Sequence, residues 1–337
     1  MKKVFLLFVT LLNILNAFTQ PATISREFAS HQFRETVYIL PRFITDTIDK
    51  SGMMKNDSGV FKIPAPNTGQ FFDTANPVNS PYALVAGGSK GIGYAIAEAL
   101  ARRGFNLILV ARHLDSLLSA KNKLESAYQV QVHILVHDLA REESTDAIVK
   151  WCIDQNIQLK MLCNVAGLGG TNDYLSLPLD SLRYMVRLNI ESAMSLTLGL
   201  LPLLEKNAPA YVLNVASMAG FAPIPAKNLY SATKSAVIFF SYSLRYQLKK
   251  KNISVSCLAP GPVFTKPSIK KDTKEKLGWI GMKMAVSPAR VGEIAVRETF
   301  NRKMIIVPGT LAKIASAIIR FFPKKWVVAI YGKAGES

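Results

Sequence analysis

Cysteine is scarce in this chain, with three residues, Cys152, Cys163 and Cys257, among 337. An odd number of widely separated thiols, set in stretches that read as helix or strand, excludes a disulfide framework and marks them as buried thiols. Histidine is also rare: His31, His113, His133 and His137 show neither an HExxH nor a Cys/His ligand spacing, so no metal site is expected. Acidic residues are few, 23 Asp and Glu against 41 Lys and Arg, for a formal charge of +18. Such an excess suits an anionic membrane surface or a phosphorylated or carboxylated substrate. Nucleic acid is not expected as a partner, because the chain has no helix-turn-helix, zinc-finger or RNA-binding motif and no basic block interleaved with aromatics. With 49% hydrophobic and 19% charged positions the chain is globular and long enough for one large core plus extensions.

Residues 1–20 combine a basic start (Lys2, Lys3), an apolar run over 4–18 interrupted by Asn13 and Asn16, and a polar exit at Thr19-Gln20. This is the layout of a secretory signal or of an uncleaved anchor somewhat short for a full span, with a buried helix as the plain structural alternative. A signal would place the rest of the chain across the membrane; a start at Met53 or Met54 would remove it. Membrane association is the expectation, with its side left open. Residues 21–80 are mixed and polar, with Pro64, Pro66, Pro77 and Pro81 at their end, and read as extension and linker.

From Tyr82 onward short apolar runs alternate with long amphipathic stretches, the pattern of repeated βαβ units. Strands are predicted at 82–86, 106–111, 131–136, 159–163, 210–216, 253–258 and 304–307, and the longest helices at about 180–206 and 228–250. The fold class is α/β, a Rossmann-type doubly wound parallel sheet forming one catalytic domain over 81–309, with a helical tail over 310–337. In that tail Leu311, Ile314, Ala315, Ile318, Ile319 and Phe322 are expected on one face, and Lys313, Ser316 and Arg320 on the other. Pro323, Lys324, Lys325, Trp326 and Tyr331 follow. An interfacial helix at anionic headgroups and a helix packed on protein both explain this pattern.

The first predicted strand ends in Ala86-Gly87-Gly88-Ser89-Lys90-Gly91-Ile92-Gly93 and runs into an Ala-rich helix. Glycines at 87, 91 and 93 permit a tight turn and close backbone approach to a pyrophosphate at the positive helix end. The second strand leads into Ala111-Arg112 rather than an acid. An acid there would bind ribose hydroxyls, whereas a guanidinium can fork onto the additional phosphate of NADP, with Lys90 as a second cation nearby; NADP(H) is therefore expected over NAD(H).

Together these features resemble the classical short-chain dehydrogenase/reductase family over residues 82–309, most loosely its ketoacyl and ketosphingoid reductase branch. The glycine loop resembles TGxxxGxG with Ala86 in place of Thr. Asp138-Leu139 is similar to the pair that contacts adenine. Asn164-Val165-Ala166-Gly167 resembles NNAG with Val165 for the second Asn, and Asn189 falls where the family has its helix asparagine. Ser217 and Tyr230-Ser231-Ala232-Thr233-Lys234 match the catalytic Ser and YxxxK, and Pro260-Gly261-Pro262-Val263-Phe264-Thr265 resembles PGxVxT beside the nicotinamide. The resemblance implies cofactor contacts at Gly87, Ser89, Lys90, Gly91, Ile92, Gly93, Asp138, Leu139, Asn164, Ala166, Gly167, Pro260, Gly261, Val263 and Thr265. It also implies that Asn189 places the water of a proton relay. A homo-oligomer is expected.

The chemistry of the residues agrees. Tyr230 and Lys234 lie one helical turn apart on one face. An ammonium near a phenol is expected to lower the tyrosine pKa and so prepare a general acid–base, with Lys234 also holding the nicotinamide ribose. Ser217, at a strand's carboxyl edge, can donate to a substrate oxygen that gains charge. The loop 218–225 and the stretch 278–285, with Trp279, Ile280, Met282 and Met284, are apolar and suit an acyl, aliphatic or fused-ring substrate. Lys270, Lys271 and Lys274 are read as a solvated charge run, with contact to an acidic head group such as a coenzyme A phosphate as the alternative. The reading is a carbonyl–alcohol oxidoreductase. The alternatives are a nucleotide-binding protein without turnover and a dehydratase or epimerase on the same scaffold.

Overall fold

The computed structural model describes residues 80–169, 175, 177–265 and 282–336. The signal-like segment, the extension up to residue 79, the lysines at 270, 271 and 274, and Trp279 and Ile280 lie outside these residues.

Seven parallel strands form one sheet: β1 (Tyr82–Ala86), β2 (Asn106–Ala111), β3 (Val132–Val136), β4 (Leu159–Asn164), β5 (Ala210–Val215), β6 (Ile253–Leu258) and β7 (Ile305–Ile306). Their spatial order is β3-β2-β1-β4-β5-β6-β7. The order reverses between β1 and β4, and it is there that a doubly wound sheet opens a crevice at its carboxyl edge. The strands are near-continuous apolar runs because both faces are covered. Alternation along each strand sends Ala83, Val85, Leu107 and Leu109 into one core layer, and Leu84, Ala86, Ile108 and Val110 into the other.

The first layer is closed by α1 (Gly91–Ala101), α2 (Leu114–Tyr128) and α8 (Pro288–Phe300). The second is closed by α3 (Glu142–Asp154), α5 (Ser192–Gly199), α6 (Leu201–Lys206) and α7 (Asn228–Leu248). Between β4 and β5 the single long helix expected at 180–206 is instead three helices. A helix α4 (Leu179–Val186) passes into a π turn, Arg187–Glu191, before α5, and Pro202 in the first turn of α6 marks the second break.

The tail forms α9 (Thr310–Phe321) and α10 (Lys324–Glu336). Its packing face differs from the one expected. Ala312 and Ser316 are buried, with Ile319 packed beside Met218 and Met284, whereas Leu311 and Ile314 are 38% and 46% exposed. Small side chains allow α9 to approach the domain closely, and Ser316 is accommodated because its hydroxyl donates to Lys313 O at 2.8 Å. Of the expected apolar stripe, Leu311 and Ile314 are exposed, while Ala315, Ile318, Ile319 and Phe322 are half-buried.

Candidate active site

The glycine turn follows β1 directly. Gly87 adopts φ +90°, where L side chains are strained, and a Cβ there would come within 2.8 Å of the Ala166 nitrogen. The turn is thus pressed onto the end of β4, where Val165 N and Ala166 N donate to Ala86 O at 2.9 and 2.8 Å. Gly91, Ile92 and Gly93 open α1; its N-cap, Lys90, makes no side-chain cap, and its first turn holds no acid. The positive end of the helix therefore lacks a protein anion, a cradle whose chemistry fits a dinucleotide pyrophosphate.

Asp138 and Leu139 follow β3. The side chain of Leu139 is buried, and Asp138 Oδ1 accepts from Ala140 N at 3.1 Å. Arg112 is exposed at the end of β2, and its Nη1 donates to the Tyr184 hydroxyl at 2.6 Å. Asn164 is turned into the core: Nδ2 donates to Ala193 O, Thr197 Oγ1 and Asn214 Oδ1 at 3.3, 2.9 and 2.8 Å. Its side chain braces the crevice wall from behind.

Ser217 lies two residues past β5, where its Oγ accepts from Ala219 N at 3.2 Å, with the Tyr230 phenol beside it. Tyr230 stands in the first turn of α7. Burial pushes its phenol above the ordinary value, and the Ser217 hydroxyl opposes this. The lowering expected from Lys234 is absent because the ammonium is engaged elsewhere: Nζ donates to Val215 O at 2.9 Å and lies 6.0 Å from the Tyr230 ring centroid. Burial brings Lys234 down to about 8, with Cys257 acting in the opposite direction. The Asn189 amide is also fully committed. Oδ1 accepts from Leu168 N at 2.7 Å, and Nδ2 donates to Leu168 O and Thr233 Oγ1, both at 3.1 Å. It ties the loop after β4 to α7, beside Gly167, where a Cβ would sit 3.1 Å from Lys234 Nζ.

The far wall is the segment after β6. Met218 N donates to Pro260 O at 3.0 Å, and a Cβ on Gly261 would lie 3.3 Å from Met218 Sδ and 3.8 Å from Ala312. Val263 is buried, and Thr265 reaches back toward Gly91, whose Cβ would lie 3.1 Å from its Cγ2. Two participants were not legible in the sequence. Tyr184 lies between Arg112 and Asp138, and the tail holds the loop after Ser217: Lys324 Nζ donates to Phe221 O at 2.9 Å, and the Arg320 guanidinium lies 4.0 Å from the Phe221 ring centroid.

A parallel sheet with a glycine turn at its switch point, and Ser, Tyr and Lys gathered at the adjoining strand ends, defines a dinucleotide-dependent oxidoreductase of the α/β class. The short chain dehydrogenase family pattern matches residues 81–276, and the chain belongs to that family. The chain is 32% identical over 209 residues to the very-long-chain 3-oxoacyl-CoA reductase-A of Danio rerio, covering 60% of this chain and 65% of the relative. Its identity to the very-long-chain 3-oxoacyl-CoA reductase of Mus musculus is 32% over 200 residues, covering 58% and 64%. The chain thus spans less than two thirds of the length of these relatives. Among solved structures, L-sorbose reductase from Gluconobacter frateurii, complexed with NADPH and L-sorbose, superposes with a TM-score of 0.62 at 26% identity, covering 69% of this chain and 97% of that one.

Proposed function

We propose that the protein is an NADP(H)-dependent reductase that interconverts a carbonyl and a secondary alcohol on an apolar, acyl-type substrate. The observation that carries this reading is the gathering of Ser217, at the carboxyl edge of β5, with Tyr230 and, one helical turn further on α7, buried Lys234, whose Nζ donates to Val215 O. NADP(H), held by the first turn of α1, Arg112, the ends of β3 and β4, and the segment 260–265, would supply or accept the hydride. Tyr230, kept protonated by burial, gives its proton to the substrate oxygen. Ser217 donates a hydrogen bond to that oxygen as charge develops there. Lys234 holds the strand end and the nicotinamide ribose, and Asn189 fixes the loop after β4 against α7.

Preference for the 2′-phosphorylated dinucleotide is supported by a guanidinium rather than a carboxylate at the end of β2, and by the NADPH bound to the sorbose reductase. An acyl substrate is supported by the apolar cluster beside the site, in which Met218, Phe221, Met284 and Ile319 pack together, and by the names of the vertebrate relatives. We further infer that the tail meets an anionic membrane surface. Residues 310–335 carry Lys313, Arg320, Lys324, Lys325 and Lys333 and no acid, and α9 leaves Leu311, Ile314 and Phe321 exposed.

The test is Tyr230→Phe, which keeps the ring and removes only the proton. Reduction of 3-oxoacyl-CoA by NADPH is expected to fall in kcat/KM by about 10²–10⁴, with NADPH affinity held within a few-fold. Near-normal turnover would overturn the assignment.

A further inference from the structure

Three side chains from three separate elements meet at the carboxyl edge of β2 and β3. Arg112 leaves β2, Asp138 lies just beyond β3, and Tyr184 projects from α4. The Arg112 Nη1 donates to the Tyr184 hydroxyl at 2.6 Å. That hydroxyl donates in turn to Asp138, 3.1 Å from Oδ1 and 3.2 Å from Oδ2. Among the described residues neither Arg112 nor Asp138 forms an ion pair, although they are two links apart in this chain of hydrogen bonds.

The arrangement separates two groups that would otherwise compete. A carboxylate beside the adenosine end repels a phosphate on the ribose, and a guanidinium free to reach that carboxylate would pair with it. A phenol interposed between them gives Arg112 a neutral acceptor that uses one of its five N–H donors, and occupies the carboxylate with an O–H. The fork that a phosphate needs stays open. The polarity of the chain is set, because burial and Asp138 both hold the Tyr184 phenol above its ordinary value, so it remains a donor to Asp138.

We propose that Tyr184 is a positioning residue for cofactor selectivity: held by Asp138, its hydroxyl fixes the Arg112 guanidinium at the end of β2, with its remaining donors available to the 2′-phosphate of the dinucleotide. This rests on the NADP(H) reading given above. It adds to that reading a residue on α4, outside the glycine turn and the ends of β2 and β3.

The experiment measures the affinities of the full chain for NADPH and NADH by fluorescence titration, in the parent, Tyr184→Phe, Arg112→Ala and the double variant, with 2′-AMP and 5′-AMP as competing probes. Tyr184→Phe is expected to weaken NADPH and 2′-AMP roughly three- to tenfold, the loss of one hydrogen bond to a charged group, and to leave NADH and 5′-AMP within twofold. In the Arg112→Ala background the same change should have little further effect on NADPH, because Tyr184 acts through Arg112. Equal weakening of NADPH and NADH would mean that Tyr184 only supports the fold, and would overturn the proposal. So would additivity in the double variant. If Arg112→Ala shifts the NADPH/NADH ratio and Tyr184→Phe does not, the proposal fails while the NADP(H) reading stands; if Arg112→Ala leaves the ratio unchanged, both fall.

Discussion

Lys234 is buried, with its Nζ donating to the Val215 carbonyl, and its protonation has a measurable consequence for stability. Its folded value is about 8 against an ordinary 10.5, so the unfolded chain binds more protons than the native one between those limits. Stability from this residue therefore rises as pH climbs through that window, and the full cost of the buried charge is present below about pH 8. Replacement by an apolar isostere removes the titration. The advantage in denaturant stability of Lys234→Met over the parent should be largest near pH 7 and shrink by about 3 kcal/mol by pH 10.5. Comparing the two proteins at each pH cancels Cys152 and Cys163, whose thiols are raised by burial alone, and leaves the coupling of Cys257 to Lys234 within the difference. A difference that stays flat with pH would show that Lys234 titrates normally. That Ser217, Tyr230 and Lys234 come together was legible in the sequence through their resemblance to a catalytic Ser and a YxxxK pair, with which helical spacing and strand ends agree. The direction of the Tyr230 shift was not, because it depends on burial of the phenol and on where the ammonium sits, and Nζ bonds Val215 O at 6.0 Å from the Tyr230 ring centroid.

At the level of elements, the strands were legible almost to the residue, since a parallel sheet covered on both faces writes itself as apolar runs. The break within 180–206 was less so. A π turn at Arg187–Glu191 has no signature in hydrophobic periodicity, and it is the turn that carries Asn189 to Leu168 and Thr233. Helix contacts that rest on a missing side chain are equally silent. Gly292 of α8 lies against α1, where an added Cβ would fall 2.3 Å from Ala95 O and 2.9 Å from its Cβ. Backbone cannot yield as a flexible side chain can, so the helices would have to move apart. Gly292→Ala should lower unfolding free energy by roughly 1–3 kcal/mol despite the better helix propensity of alanine, measured by urea titration. An unchanged or higher midpoint would mean that α1 and α8 separate without loss.

Across the whole molecule, the tail packs on the domain by one face and leaves several apolar side chains outside that contact. One face of α9 packs on the domain through Ala312 and Ser316, while Leu311, Ile314 and the 87% exposed Phe321 look outward. Periodicity revealed a stripe but not its bounds, because the helix docks by the small Ala312 and Ser316 together with Ile319. Among the described residues no helix is long and apolar enough to cross a membrane, so a lipid contact there would lie in the interface plane. Because Arg320 and Lys324 also hold Phe221, a tail seated on lipid would set the apolar side of the site beside the bilayer, where acyl substrates partition. The decisive protein starts at residue 80, so that residues 1–18 cannot anchor it independently. It should co-sediment with vesicles of phosphatidylserine and phosphatidylcholine, less so as salt rises through the range where the Debye length falls below about 8 Å. The triple variant Leu311→Ser, Ile314→Ser, Phe321→Ser changes only outward-facing positions, so it should stay folded and remain in the supernatant. If the parent also stays in the supernatant, the outward stripe of α9 belongs to a protein contact and the membrane reading is wrong.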